Sequence, residues 1–200
     1  MTVTQERFDQ GLTYEAYKAQ MTRNRERLEA NEQGMELPQA ELAFFQQLPK
    51  PLHVLALAED WCGDVINNLP VLGQLAAASG KLNVRIFLRD QNLDLMDQYL
   101  NQGQFRSIPV FVFFDENFHE LGHWIERPAR IREMQAAMRS ALFATDPALA
   151  GIAPDTSPSQ MPEEARNRLM QANADFRAAH KVDSDQEVVR ELRALVEKAS

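Results

Sequence analysis

Apolar residues recur along this chain with two different periods, and the changes between them mark out the elements. Tyr14, Tyr17, Met21 and Leu28 return at near-helical spacing among charged residues, which predicts an amphipathic helix over about 13–31, ending before Gly34. A shorter helix is expected from Pro38, with Leu42 and Phe45 on one face and Pro49-Lys50-Pro51 as its stop. HVLALA at 53–58 is a short apolar run of the kind that forms a buried parallel strand. Val65, Leu69, Leu72 and Ala76 then mark one face of a helix from Cys62 to about Ser79, kinked by Pro70 and ended by Gly80. LNVRIFL at 82–88 reads as a strand, 93–101 as a helix, IPVFVFF at 108–114 as a strand, and 118–124 as its antiparallel partner across the turn Asp115-Glu116-Asn117. A helix from Pro128 to about Phe143 completes the order β-α-β-α-β-β-α.

Beyond it, 145–162 carries proline, serine, threonine and glycine in the pattern of a linker. Two helices follow, at about 162–180 and from Ser184-Asp185-Gln186-Glu187, which has the form of a capping box. Val188, Leu192, Leu195 and Val196 give the second an apolar face that needs a partner surface, expected to be the main domain, with half of a dimer contact as the alternative. The expected organisation is therefore a helical lead-in at 1–49, an α/β domain at 50–144, a linker at 145–161 and a helical extension at 162–200.

The chain has 200 residues, 44% of them hydrophobic, enough to build a core. A formal net charge of -8 and no cluster of lysine and arginine argue against nucleic acid or an anionic membrane as partner. The first residues lack the pattern of a secretory signal, and no run reaches the length of a membrane span, so the chain reads as cytoplasmic. A single cysteine excludes an internal disulfide, and any redox chemistry must involve a second molecule.

That cysteine lies in AEDWCGDV, between a strand and a helix. A thiol at a helix N-terminus meets unpaired amides and the positive end of the helix dipole, which favour the thiolate. Strand, Trp61-Cys62-Gly63, kinked helix and, later, Ser107-Ile108-Pro109 opening a strand resemble the thioredoxin-like superfamily over about residues 50–143. The stretch is most similar to a bacterial group whose motif reads Trp-Cys-x-Asp, with a later hairpin like FHELGHWIERP. The resemblance implies a mixed sheet flanked by helices. It makes Cys62 the attacking thiol, Ile108-Pro109 a cis peptide whose backbone pairs with an extended partner, and Trp61, Gly63 and Asp64 part of the surrounding surface.

Departures from the dithiol pattern of that superfamily bear on function. Val65 stands where a resolving cysteine would be, so a mixed disulfide on Cys62 has no internal release. Asp64 stands where a proline is expected, and its charge, with those of Glu59 and Asp60, pushes the thiol pKa up. Ala56 replaces the buried acid of dithiol members. The expectation is a monothiol protein in cell redox homeostasis, whose thiol forms mixed disulfides with glutathione or a partner protein and which needs no cofactor. The alternative is a non-catalytic binding module that uses the groove beside Trp61 and Pro109.

His119-Glu120-Leu121-Gly122-His123 matches H-E-x-x-H, a zinc pattern that works only on a helix. Here a turn precedes it and aromatic residues flank it, which favours a strand. Residues four apart on a strand are roughly 13 Å apart, too far to share one ion, so both histidines are expected on the surface of a hairpin with no metal. His53 and His180 read as structural, and Phe111, Phe113 and Phe114 as core.

Overall fold

The computed structural model describes residues 3–199, which divide into two compact units: residues up to 127 with those from 185 on, and residues 128–184. In the first unit, helices α1 (Gln5–Asp9), α2 (Tyr14–Gln20), α3 (Arg25–Gln33) and α4 (Gln39–Gln46) precede strand β1 (Leu52–Ala58). Helix α5 (Gly63–Ser79), β2 (Leu82–Leu88), the short α6 (Leu93–Met96), β3 (Val110–Phe114) and β4 (Glu120–Ile125) follow. The strands form one mixed sheet in the order β2-β1-β3-β4, with β1 and β2 parallel and the other two pairs antiparallel.

Burial follows position in that sheet. Every residue of β3 is buried, as is all of β1 except half-exposed His53, so both faces of the two central strands are covered. The outer strands are less covered: β2 mixes buried and half-buried positions, and in β4 Trp124 alone is buried. At the outer edge of β2, Leu12 exchanges two backbone hydrogen bonds of 2.8 Å with Ile86. Gly11 allows this approach: a Cβ there would stand 2.6 Å from the Phe87 ring.

Helix α5 carries the candidate site and contains Pro70, which cannot donate to the carbonyl of Ile66. Asn31 of α3 supplies the missing donor, its Nδ2 lying 2.8 Å from that oxygen. The proline is thus accommodated by a side chain from the lead-in. Gly80 closes the helix in the left-handed conformation.

The helix expected over 13–31 is two helices. Asp60 causes the break: its Oδ2 accepts from the amides of Thr22 (2.7 Å) and Arg23 (3.0 Å) and from the Thr22 hydroxyl, while its carbonyl accepts from Asn24 Nδ2. Asn24 takes the left-handed conformation that asparagine tolerates, and α3 starts after it. The helix expected over 93–101 stops at Met96. Tyr99 is buried with its hydroxyl donating to Glu120, and Asn101 bridges to Phe105, so the chain is drawn into a turn.

The second unit holds helix α7 (Ala129–Thr145), two short 3-10 turns, and helix α8 (Glu163–Ala179). The stretch expected to be a linker is packed within it. Leu149 and Met161 are buried with Ala165 and Leu169 in a small core that Leu142, Phe143 and Ile152 join, and Arg168 pairs with Asp146 at 2.5 Å. The last helix, α9 (Lys181–Ala199), begins before the expected capping box. Ser184 is helical, donating its amide to the carbonyl of His180. From Asp185 on, α9 belongs to the first unit, and Val188, Val189, Leu192 and Val196 are buried in that unit's core. At ~1.5–3 kcal/mol for each fully buried aliphatic side chain, this face holds the helix in place. No helix among the described residues is long and apolar enough to cross a membrane.

Candidate functional site

The loop between β1 and α5 places Cys62 at the N-cap of the helix, where its side chain is not used as a cap. Its Sγ lies 3.5 Å from the carbonyl oxygen of Ile108, in the segment that leads into β3. The Ile108–Pro109 peptide is cis, and both residues are buried. Two sequence-distant candidates, the thiol and this proline segment, thus meet.

Two influences compete at the sulfur. Burial pushes the thiol pKa up, and the charges of Asp64 and Glu126 add to this, while the amides of Val65 and Asp64 stabilise the thiolate. The balance lies upward. The upward direction agrees with the push expected from Asp64, with burial as the larger cause: the half-buried sulfur loses more hydration than the two amides at the helix start return.

Asp64 is tied to a group that sequence reading missed. Its Oδ2 accepts from Arg127 Nη2 at 2.5 Å, and the same nitrogen reaches Glu126 Oε1 at 2.6 Å. Glu126 follows β4 with φ of 69° and joins several segments. Its amide donates to the Pro109 carbonyl (2.7 Å), its carbonyl accepts from Asn68 of α5 (2.8 Å), and its Oε2 accepts from Asn101 (3.1 Å). Left-handed backbone costs a non-glycine residue ~1–2 kcal/mol, which this set of bonds offsets. Glu126 and Arg127 stand in the hairpin stretch FHELGHWIERP, but nothing in the sequence pairs them with residues some sixty positions away.

Trp61 is 42% exposed beside the thiol, with the Arg89 guanidinium 4.8 Å above its ring. Arg89 also donates to the Arg106 carbonyl. Gly63 is the first residue of α5. Val65 and Ala56 are fully buried apolar residues. Glu59, just before the loop, is 9% exposed and accepts from the Asp90 amide at 2.8 Å, and burial raises its pKa.

The H-E-x-x-H residues lie along the β3–β4 hairpin, each histidine bonded to a different acid: His119 to Asp115 and His123 to Glu120, both at 3.0 Å. Among the described residues no group of three histidine, cysteine or acidic side chains is placed to hold a metal ion. His53 stacks on Phe118, and burial lowers its pKa. His180 lies against Phe176 at the end of α8.

No curated protein matches the chain. Among solved structures, a protein of unknown function from Pseudomonas aeruginosa, PA1234, is similar at a TM-score of 0.68 and 20% identity, with 99% of each chain covered. An HIV epitope-scaffold is similar at a TM-score of 0.67 and 18% identity, with 99% of this chain and 100% of that one covered. Both likenesses concern the fold. A family model described as Thioredoxin matches residues 11–139, more than half of the chain. With that match, and with a mixed four-stranded sheet flanked by helices, the chain belongs to the thioredoxin-like family.

Proposed function

We propose that Cys62 works as a lone redox thiol, exchanging with an external disulfide in a role within cell redox homeostasis, with glutathione or a thiol-bearing protein as its partner. The placement of Sγ at the start of α5, 3.5 Å from the Ile108 carbonyl and beside exposed Trp61, carries this reading. In the exchange, Cys62 loses its proton to solvent and the thiolate attacks one sulfur of glutathione disulfide. The sulfur–sulfur bond breaks, glutathione leaves as a thiolate and takes up a proton, and Cys62 is left in a mixed disulfide. Val65 offers no second thiol. Release therefore needs a further external thiol, which attacks the mixed disulfide and returns Cys62 to its reduced state. Trp61 and the backbone at Ile108 and Pro109 are the surfaces that the partner meets, and Gly63 and Asp64 frame the thiol.

Because burial and the neighbouring carboxylates raise the thiol pKa, the exchange is slow at neutral pH and accelerates as pH rises. Mass spectrometry of the folded protein after incubation with glutathione disulfide at mildly alkaline pH tests the reading. One glutathionyl adduct on Cys62 is expected, reversed by added glutathione. A thiol that stays unmodified in the folded chain, while the unfolded chain reacts, overturns it.

A further inference from the structure

A cleft of about 270 Å³ opens where β1 and β2 end side by side. Parallel strands leave such a crevice beyond their carboxyl ends. Its walls are Tyr17, Gln20, Met21 and Thr22 from α2 and the turn after it, Glu59 and Asp60 after β1, and Leu88 at the end of β2.

One group in it lacks the partner that burial demands. Tyr17 is 1% exposed, and its hydroxyl has no hydrogen-bond partner among the described residues. A buried polar group left unpaired destabilises a fold, so a guest that bonds to this hydroxyl gains by pairing it. The charged groups acting on that hydroxyl are Asp60, Glu59 and the Cys62 thiol. Glu59 has only its Oε1 engaged, by the Asp90 amide. Asp60 spends Oδ2 on the turn after α2, which fixes that wall. Among the described residues no lysine or arginine lines the cleft. Arg89, the cation acting on Glu59, lies over the Trp61 ring.

The cleft thus combines a buried carboxylate, an unpaired hydroxyl able to accept, and the apolar side chains of Met21 and Leu88. An anion is repelled there, and a purely apolar guest leaves the hydroxyl unpaired. An ammonium brings three donors and a positive charge, and an attached alkyl chain suits the apolar wall. The volume lies below that of pockets for drug-sized ligands. We propose that this cleft binds a primary alkylammonium group, with Glu59 as its counter-ion, Tyr17 Oη as a second acceptor, and Met21 and Leu88 against its methylenes. The same chemistry belongs to a free alkylamine and to the lysine side chain of a partner. The site does not depend on the chemistry of Cys62.

Titration of the full chain with n-butylammonium chloride, followed by tryptophan fluorescence and by the amide shifts of Thr22 and Asp90, tests it. Saturable binding is expected, absent with n-butanol and with butyrate at matched ionic strength. Glu59→Gln keeps the bond to Asp90 and loses the charge, and is expected to weaken binding by about tenfold or more. Tyr17→Phe is expected to weaken it by about three- to tenfold while raising the melting temperature, a pairing that a purely structural hydroxyl does not produce. No saturable response to butylammonium, an equal response to butanol, or undiminished affinity in a folded Glu59→Gln chain overturns the proposal. If Glu59→Gln does not fold, undiminished affinity in Tyr17→Phe overturns it. Within the proposal, a short lysine peptide that binds more tightly than butylammonium assigns the site to a partner's side chain, and equal affinity assigns it to a free amine. A Cys62→Ser chain is expected to bind butylammonium as the natural chain does, so failure of this site and failure of the thiol exchange are read separately.

Discussion

Carboxylates near Cys62 are handled in two opposite ways. Around Arg127, Asp64 and Glu126 share one guanidinium, and the backbone of Glu126 is bonded to Pro109 and to Asn68. Around Tyr17, Glu59 is buried with one amide donor, and the hydroxyl beside it has none among the described residues. A neighbourhood in which two carboxylates share a cation and the backbone is bonded on both sides resists displacement, because any new arrangement begins by breaking those bonds. A neighbourhood with unmatched groups weakens the isolated fold and gains on meeting the right guest. The first holds the thiol and the proline segment together, and the second is poised for recognition.

The largest effect expected of that contrast is on stability. Arg127→Met leaves Asp64 and Glu126 facing each other without their shared cation, and is expected to cost about 2–3 kcal/mol, the partly exposed end of the range for broken ion networks, in urea unfolding. A loss below about 0.5 kcal/mol would break the comparison by showing that the network holds nothing. Next, Asn31→Ala exposes the Ile66 carbonyl that Pro70 leaves free, with an expected loss of about 1–2 kcal/mol by the same measurement. Tyr17→Phe should have the opposite sign, a gain of up to about 1 kcal/mol seen as a rise in thermal midpoint. Destabilisation there would mean that the hydroxyl has a partner in the isolated fold.

The smallest expected effect concerns the thiol. Asp64→Asn removes one of the charges that raise the Cys62 pKa, so the midpoint of its alkylation by iodoacetamide against pH should move down. The sign of linkage follows from the same shift. With its folded pKa above the unfolded value, Cys62 holds its proton longer when folded, so its contribution to stability is present at and below the unfolded thiol pKa and is lost as pH rises through the folded one. Replacing Cys62 by alanine should flatten that part of the alkaline stability profile, as measured by denaturant unfolding at a series of pH values.

Much of the fold was legible because local pattern and final environment agree. HVLALA and LNVRIFL read as strands and are β1 and β2 within a residue, since both lie in or beside the covered centre of the sheet. The helix carrying Pro70 read correctly too, although the asparagine that makes the proline tolerable did not. Illegible parts depend on partners far away in sequence. The break between α2 and α3 is imposed by Asp60, 36 to 38 residues on from the groups it binds. LDLMDQYLN has helical spacing, but Tyr99 is buried with its hydroxyl on Glu120, and the helix ends early. At the site, AEDWCGDV pointed to the thiol and to the charge at Asp64. The guanidinium that takes up that charge comes from the end of a hairpin 63 residues later, and the hydroxyl beside Glu59 from a helix in the lead-in.

The two hydrogen bonds between Leu12 and Ile86 bear on what the edge of the sheet leaves open. β2 is the outer strand of the sheet, seven residues of mostly apolar sequence, and a bare edge of that kind recruits strands from other molecules. Leu12 occupies its middle and interrupts the row of open backbone groups there. Removal of the first dozen residues would uncover it and leave that edge open as a seed for intermolecular sheet growth.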